Sequence, residues 1–293
     1  FILAKMLHLT SKKRVCFVLL FFSNYTSLLS AIMMEQFVVT LFWLLLLLYN
    51  IAEKKQPNPF VLVASGGVIV TNLVCVPLLS NHAFTRNYKV WIKDMCRYAC
   101  YFIVAWIGCG QITTLLNFAL GVDVQLSHFG GADVSLYERI CQCTTFIKNY
   151  FLTPEAGPSN ITQIGCTWPS WQLTPVTGVN VVGVVIFILA VLSVWINRDK
   201  RSSLLAGGWI LFSVFALCIL GWGSAENGLI LYSLYFGWPF LTLLFQFVEK
   251  LENRWHLQFV LPAVCIICVI FSLICNIPAL YEMIKFVASI YPG

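Results

Sequence analysis

The sequence predicts an all-α integral membrane protein with about seven transmembrane helices, a re-entrant helical hairpin and one long extracytoplasmic loop. Of its 293 residues, 59% are hydrophobic and only 10% are charged, whereas soluble domains carry about 25% charged residues. The apolar residues form continuous runs near the ~20 residues that one helical crossing needs. Their one long interruption, Gly121–Val176, is the predicted loop.

The N-terminal part of the chain predicts a helical hairpin followed by a broken crossing. Apolar runs at 15–33 and 37–51 are separated by a very short polar break, which puts Glu35 at the tip of a tight hairpin. The next apolar stretch, 60–80, has the length of one crossing, but Gly66-Gly67 lie in its middle. Glycines permit a turn that side chains would crowd. This stretch is therefore either one crossing or a re-entrant hairpin.

The distribution of Lys and Arg favours the hairpin. With a single crossing, the counted cations divide almost evenly between the two sides. With a hairpin, only Arg139, Lys148 and Lys285 fall on the outer side, and the other cations after Lys5 fall on the inner side. Cytoplasmic loops are enriched in Lys and Arg. A re-entrant turn also has to be shielded by neighbouring helices, because its backbone polar groups are unpaired.

The rest of the chain continues the membrane pattern. Residues 84–97 alternate apolar and basic positions at helical spacing, which predicts a basic amphipathic helix on the cytoplasmic surface. The domains are then 1–120, the loop 121–176, and 177–293, which ends in a short interfacial tail helix. The remaining predicted crossings are Tyr98–Leu120, Thr177–Ile196, Leu204–Trp222, Leu229–Val248 and Leu257–Cys275.

Two acids and three cysteines are the candidate functional residues outside the crossings. Glu35 and Glu226 each lie at the outer tip of a helical hairpin. Acids so close to hydrocarbon are costly and are functional candidates, unless both simply reach interfacial water. In the loop, Cys166 is expected to form a disulfide with Cys141 or Cys143, which are too close to pair with each other. A zinc site is the weaker alternative, because the spacing matches no common pattern.

Two stretches resemble membrane glycosyltransferases of the GT-C type. Ser23–Ile51 (SNYTSLLSAIMMEQFVVTLFWLLLLLYNI) is similar to the helix–tip–helix of that class, in which an acidic residue often stands at the outer tip. The short hairpin and the basic amphipathic helix that follow fit the same organisation. Gly221–Leu251 (GWGSAENGLILYSLYFGWPFLTLLFQFVEKL) looks like the C-terminal region of uncharacterised bacterial multi-pass proteins grouped near that class.

The resemblance implies sugar transfer from a polyprenyl-phosphate donor at the outer face of the bacterial cytoplasmic membrane. In this class an acid of the first outer loop acts as base or metal ligand, and that loop would precede Phe1. The chain would then be a portion of such an enzyme that lacks the catalytic residue. Arg139 and Lys148 would contact a lipid phosphate, unless they are ordinary surface charges. The cofactor stays open, with a divalent metal as the one candidate, and the expected partners are the lipid bilayer and the lipid-linked sugar, not nucleic acid.

Two other functions remain open from the sequence. One is a transporter or flippase for a lipid or a small solute, although inverted repeats and buried charges of the kind that mark transporters are missing. The other is a non-enzymatic subunit of a membrane assembly. The sequence upstream of Phe1 would distinguish these from an enzyme, because a further domain-sized piece with outward-facing acids favours the enzyme.

Overall fold

The helical fold class is confirmed. A computed structural model describes residues 2–32, 36–53, 58–74, 88–110, 113, 116–117, 120–121, 134–163, 166–174, 176–222, 229–256 and 259–290. It is 81% helical, and its described residues contain one two-stranded antiparallel sheet. The predicted loop is thus the part of the chain that contains the strands.

The described residues form eleven α-helices and one ribbon of two strands. The sheet is a ribbon of β1 and β2 in which Ala156 pairs with Leu173 and Gln163 with Cys166. The helices are α1 (Ile2–Met6), α2 (Ser11–Ser23), α3 (Tyr25–Ile32), α4 (Gln36–Ala52), α5 (Pro59–Val68), α6 (Tyr88–Gly108), α7 (Leu136–Phe151), α8 (Val181–Ile196), α9 (Arg201–Val214), α10 (Leu229–Trp255) and α11 (Val260–Ile290), with the strands β1 (Ala156–Gln163) and β2 (Cys166–Leu173).

Fewer helices than predicted have the length and composition of a membrane crossing. Among the described residues, Arg201–Ile219 and Val260–Ile290 qualify, and α2 with α3 form a third crossing if the bent pair is one span. The apolar helices Phe37–Ala52 and Val181–Ile196 are shorter. Helices of 16 residues are about 24 Å long, below the ~30 Å of the hydrocarbon core. The structure therefore supports a membrane protein with two or three crossings by this measure, where the sequence predicts seven.

The first apolar run is bent. The axes of α2 and α3 meet at 68°, and Asn24 lies between them in an extended conformation. Its side-chain amide donates to the Phe21 carbonyl (2.6 Å), and its side-chain oxygen accepts from the Thr26 hydroxyl and the Ser27 N–H (both 2.9 Å). Polar side chains that bond nearby backbone compete with helical hydrogen bonds. The uninterrupted run expected over 15–33 is therefore broken at Asn24.

The stretch predicted as a re-entrant hairpin is also broken. α5 continues through Gly66-Gly67, and the backbone becomes extended at Ile69 (φ −145°, ψ 124°), before a 3-10 turn at Val70–Val74. The Asn72 side chain donates back to the Ser65 carbonyl at 3.0 Å. Positions seven apart in a continuous helix differ by about 10 Å along the axis, so the chain folds back here. The predicted turn at Gly66-Gly67 is displaced to Ile69, because both glycines remain helical.

Two predicted element boundaries do not occur. The basic segment predicted over 84–97, of which residues 84–87 lie outside the described residues, shares one helix from Tyr88 to Gly108, α6, with the crossing predicted from Tyr98. The tail that was expected to form a separate interfacial helix continues α11 through Pro278 to Ile290. In both places the apolar spacing runs on at helical period, and no polar side chain interrupts it as Asn24 does.

An ion cluster joins four elements at the predicted cytoplasmic end. Lys13 of α2 lies 2.9 Å from Glu249 and 3.4 Å from Glu252, both in α10. Lys200, which precedes α9, lies 3.2 Å from Glu249. Glu252 also accepts the backbone N–H of Leu261 at the start of α11 (2.8 Å). Burial disfavours the charged carboxylate of Glu249, but the two lysines outweigh this effect and lower its pKa.

Candidate functional site

Helix α7 lies across the ends of other helices. The guanidinium of Arg139 donates to the carbonyl of Ile219 at 2.9 Å, where the helix that begins with α9 ends. One turn further along, the hydroxyl of Thr144 accepts the backbone N–H of Asn180 at 3.0 Å, at the start of α8. The predicted topology places both of these helix ends on the outer side. α7 therefore covers this end of the bundle, which is the outer end in the predicted topology.

The sequence explains why a helix forms within a predicted loop. Ser135 caps α7 by accepting the N–H of Glu138, and the Glu138 carboxylate accepts the N–H of Ser135, which is a capping box. These hydrogen bonds lower the pKa of Glu138. One face of α7 is buried and apolar or weakly polar, and Tyr150 on that face lies directly against Gly237 of α10, where a Cβ atom would clash.

The ribbon of β1 and β2 extends the cover over α11. The indole of Trp171 lies against Phe286, with 5.5 Å between the ring centroids. Between α7 and the ribbon, the Thr153 hydroxyl donates to the side-chain oxygen of Asn276 at 2.7 Å. We call α7 and the ribbon together the outer layer. Its contacts show that the described part of the predicted loop, from residue 134 onwards, is folded onto the helices.

Both predicted cations belong to the outer layer, but each has a protein partner. Arg139 binds the Ile219 carbonyl, as described above. Lys148 pairs with Glu155 at 2.8 Å, and its side chain is only 12% exposed. The ammonium group beside Glu155 lowers the pKa of that carboxyl. Arg139 and Lys148 are nine residues apart on α7, which places them on opposite faces of the helix, so they do not converge on one ligand group.

The predicted acids Glu35 and Glu226 lie outside the described residues. Their described neighbours, however, are close together. The ring of Phe37, two residues after Glu35, packs edge-on against Tyr232 of α10, with 4.7 Å between centroids. Tyr232 follows Glu226 by six residues. The chain segments that carry the two acids therefore start from one contact at the same end of the bundle.

The three cysteines of the predicted disulfide are free thiols in the structure. Cys141 and Cys143 are buried on α7, whereas Cys166 is exposed at the start of β2. Cys143 shares its buried core cluster with Cys218, near the end of the Arg201–Ile219 helix. A disulfide of Cys166 with Cys141 or Cys143 stays a prediction.

A buried polar cluster that the sequence analysis missed lies at the bend between α2 and α3. The Ser23 carbonyl accepts from the Ser272 hydroxyl (2.6 Å) and from the Asn276 amide (2.9 Å) of α11. These bonds satisfy backbone that the bend releases from the helix. The sequence feature that could have indicated this cluster is the polar run Ser23–Ser27 within an otherwise apolar stretch.

Part of this region has unsatisfied polar atoms. The Ser27 hydroxyl, the Asn149 side-chain oxygen and the Tyr150 hydroxyl are buried and make no hydrogen bond of good geometry. The Tyr150 hydroxyl lies beside Asn24, and complete burial raises its pKa well above the usual value, so it stays protonated. Buried polar atoms without partners are rare in proteins and call for an explanation.

The search for metal ligands and the comparison with known proteins give no further indication of the reaction. Within the described ranges, no three His, Cys, Asp or Glu side chains lie close enough together to hold a metal ion. No protein-family model matches the chain, and no curated protein or solved structure is significantly similar to it.

Proposed function

We propose that the chain is a portion of a GT-C-like membrane glycosyltransferase that uses a polyprenyl-phosphate-linked sugar at the outer membrane face. The proposal includes the predicted topology of seven crossings and a re-entrant pair in a bacterial cytoplasmic membrane. The catalytic acid of such an enzyme would lie on another part of the protein. This chain would supply the cleft for the lipid-linked donor or for the acceptor.

The outer layer is the observation that carries this proposal. A lipid-linked sugar has its reacting groups at the membrane surface, so an enzyme that uses it needs a folded cover at that height. α7 and the ribbon form such a cover, anchored by Arg139 on Ile219 and by Trp171 on Phe286. A loop with only a connecting role would not need a capped amphipathic helix packed onto three other helices.

The contact of Phe37 with Tyr232 supports the predicted pair of acids. Along the sequence, Glu35 precedes Phe37 by two residues and Glu226 precedes Tyr232 by six. Under the proposal, Glu35 and Glu226 face one cavity beside the outer layer and bind hydroxyl groups of the sugar or acceptor.

Arg139 is the better candidate of the two cations for a lipid phosphate. Its guanidinium contacts the uncharged carbonyl of Ile219. Lys148 is nearly buried and already paired with Glu155, so a phosphate would have to displace a carboxylate. We therefore assign the phosphate contact to Arg139 and a role in anchoring the ribbon to Lys148.

Photocrosslinking of the full chain in proteoliposomes tests the proposal. A photoactivatable polyprenyl-phosphate analogue should label peptides of α7 or the ribbon. Unlabelled polyprenyl phosphate should compete, and the uncharged polyprenol should not. Arg139→Gln should lower the labelling several-fold, because a charge-assisted contact is lost. The matched control is Lys285→Gln, which removes an exposed outer cation of α11 outside the outer layer.

Two results would contradict the proposal. One is labelling spread over the whole lipid-facing surface with equal competition by polyprenol, since that is partitioning into the bilayer. The other is an equal loss of labelling in the Arg139 and Lys285 variants, because the labelling would then depend on general surface charge and not on a specific contact.

The bend at Asn24 favours a second function, passage of a lipid or a small solute. Broken helices with released backbone and buried polar side chains form substrate sites in many transporters. Here the bend lies beside the unsatisfied atoms of Ser27, Asn149 and Tyr150. A flux assay in the same proteoliposomes distinguishes the two: transbilayer movement of polyprenyl phosphate by the chain alone supports passage, and binding without movement supports the enzyme portion.

A further inference from the structure

Two buried cysteines face each other where α7 meets the end of the Arg201–Ile219 helix. Cys143 lies on the buried face of α7, and Cys218 lies in the segment Phe215–Ile219, which forms a π-helical turn. Both side chains are largely shielded, with 7% and 8% of their residue surface exposed. Both belong to one buried core cluster, at the place where α7 packs against this turn.

A second contact fixes the same alignment independently. Arg139 and Cys143 are four residues apart in α7 and therefore lie on one face of the helix. Arg139 donates to the carbonyl of Ile219 at 2.9 Å, and Ile219 directly follows Cys218. Successive turns of α7 thus meet successive residues of the π-helical turn. The approach of the two cysteines follows from the packing of two helices and does not depend on the rotamer of one side chain.

We propose that Cys143 and Cys218 form a disulfide that fixes the outer layer to the helix bundle. The proposal rests on the predicted topology, which places both residues near the outer, oxidising side, where disulfides form and persist. It replaces Cys166 as the partner of Cys143. Cys166 is exposed at the start of β2, whereas Cys218 is buried in the turn against which α7 packs.

The oxidant is an external disulfide, either of a protein or of a small molecule. The thiolate of one cysteine attacks a sulfur of that disulfide, forms a mixed disulfide and expels the first external thiolate. The second cysteine, as a thiolate, then attacks its neighbour's sulfur in the mixed disulfide and expels the second external thiolate. Two electrons pass to the external disulfide, and the two protons of the cysteines leave with its thiols. Both thiols are reachable for this exchange before α7 has docked.

The disulfide would attach α7 to the bundle next to the hydrogen bond of Arg139 to Ile219. Disulfide formation brings the two sulfur atoms to about 2.05 Å, and it connects positions 75 residues apart along the chain. The outer layer would then remain attached even when its polar contacts exchange with a ligand.

Peptide mapping of the full chain from its native membrane tests the inference. The protein is denatured with N-ethylmaleimide present, so that all free thiols are blocked, and is digested with trypsin without reductant. Cleavage after Lys and Arg gives the peptide 140–148 with Cys141 and Cys143, the peptide 202–250 with Cys218, and the peptide 149–198 with Cys166. We expect 140–148 linked to 202–250 by mass spectrometry, and dithiothreitol should separate them.

Variants identify the cysteine on α7. Cys143→Ser should abolish the linked pair, and the matched control Cys141→Ser, two residues away on the same helix, should retain it. A link between 140–148 and 149–198 would overturn the inference in favour of Cys166. Recovery of 140–148 and 202–250 with every thiol blocked would overturn it as well. The wild-type map is decisive even if a variant fails to fold, and neither outcome depends on binding of a lipid-linked sugar.

Discussion

The hydroxyl of Tyr235 donates a hydrogen bond to the side-chain oxygen of Asn72, which joins α10 to the turn after α5. The Thr71 hydroxyl also lies within hydrogen-bonding distance of this hydroxyl, at 3.1 Å, and the Asn72 amide donates to the Ser65 carbonyl. One phenol thus connects the broken segment to the centre of the bundle. The fold-back at Ile69 is stabilised from both sides, by its own helix and by α10.

Replacing Tyr235 with Phe should weaken this connection. The Tyr235 hydroxyl bonds both Asn72 and Thr71, and each lost hydrogen bond costs about 1 kcal/mol, which corresponds to a Tm lower by roughly 2–4 °C per bond. Thermal unfolding of the purified protein in detergent measures the change. Tyr281→Phe is the control, because Tyr281 is 63% exposed on α11. Equal Tm values for the two variants would show that the bond to Asn72 contributes nothing.

Alanine substitutions at the two adjacent glycines of α5 should have opposite effects. A Cβ on Gly66 would lie 2.7 Å from Phe102 and 2.8 Å from Leu73, whereas a Cβ on Gly67 has nothing within 4 Å. Gly66→Ala should therefore lower the Tm. Gly67→Ala should leave the Tm unchanged or raise it, because alanine favours a helix by up to about 1 kcal/mol over glycine. If both variants were equally stable, Leu73 would not fold back onto Gly66.

Replacing Lys13 of the ion cluster should lower the stability of the protein more than replacing the neighbouring Lys12. Lys13→Met removes a partner from Glu249 and from Glu252, whose side chains are 14% and 6% exposed. We expect a loss of about 1–2 kcal/mol, less than for fully buried pairs because Lys13 itself is partly exposed. Lys12→Met, at an exposed position, is the control. In a double-mutant cycle with Glu249→Gln, additive effects would argue against a direct interaction.

The pair of Lys148 and Glu155 should make the outer layer slightly less stable in acid. The pKa of Glu155 is lowered in the folded protein, so its stabilising effect is complete above the unfolded value near 4.5 and is lost as the pH falls through the lowered pKa. The carboxylate is 76% exposed, so the effect is a few tenths of a kcal/mol. Glu155→Gln should lower the Tm at pH 7 but not at pH 3. The exposed Glu282→Gln should behave like wild type at both pH values.

The outer position of the ribbon is directly testable. Cys166 is exposed and belongs to the segment that the distribution of Lys and Arg places outside. A membrane-impermeant maleimide should label Cys166 in intact cells, with Cys166→Ser as the control for other thiols. Labelling that requires cell lysis would invert the topology and would also remove the oxidising environment for Cys143 and Cys218.

The sequence predicted the helical fold class better than the course of individual helices. The apolar runs identify a helical membrane protein because burial from water requires little more than composition. The bend at Asn24 was missed because the mean hydropathy of the run stays high despite a few polar residues. The side chains of these residues form hydrogen bonds that replace backbone hydrogen bonds of the helix. The turn at Gly66-Gly67 was displaced to Ile69 because glycine also serves close packing, here against Phe102 and Leu73.

The candidate site was predictable only in part. The capping box at Ser135 could have indicated α7, since its spacing is local and specific. The partners of Arg139, Lys148 and Cys143 could not have been found in this way. Ile219 and Cys218 lie far along the chain, and their approach depends on how α7 crosses the bundle.

The length of α11 sets the height of the ribbon above the lipid. Thirty-one residues of helix extend about 46 Å, which exceeds the ~30 Å hydrocarbon thickness by more than the usual tilts of up to about 40° can absorb. Its first charges after Val260 are Glu282 and Lys285, so the last turns belong among the lipid headgroups. Trp171 meets the helix there, at Phe286. A thicker bilayer would draw these turns into the hydrocarbon and press the ribbon against the headgroups. Hydrophobic mismatch would then change the position of the outer layer.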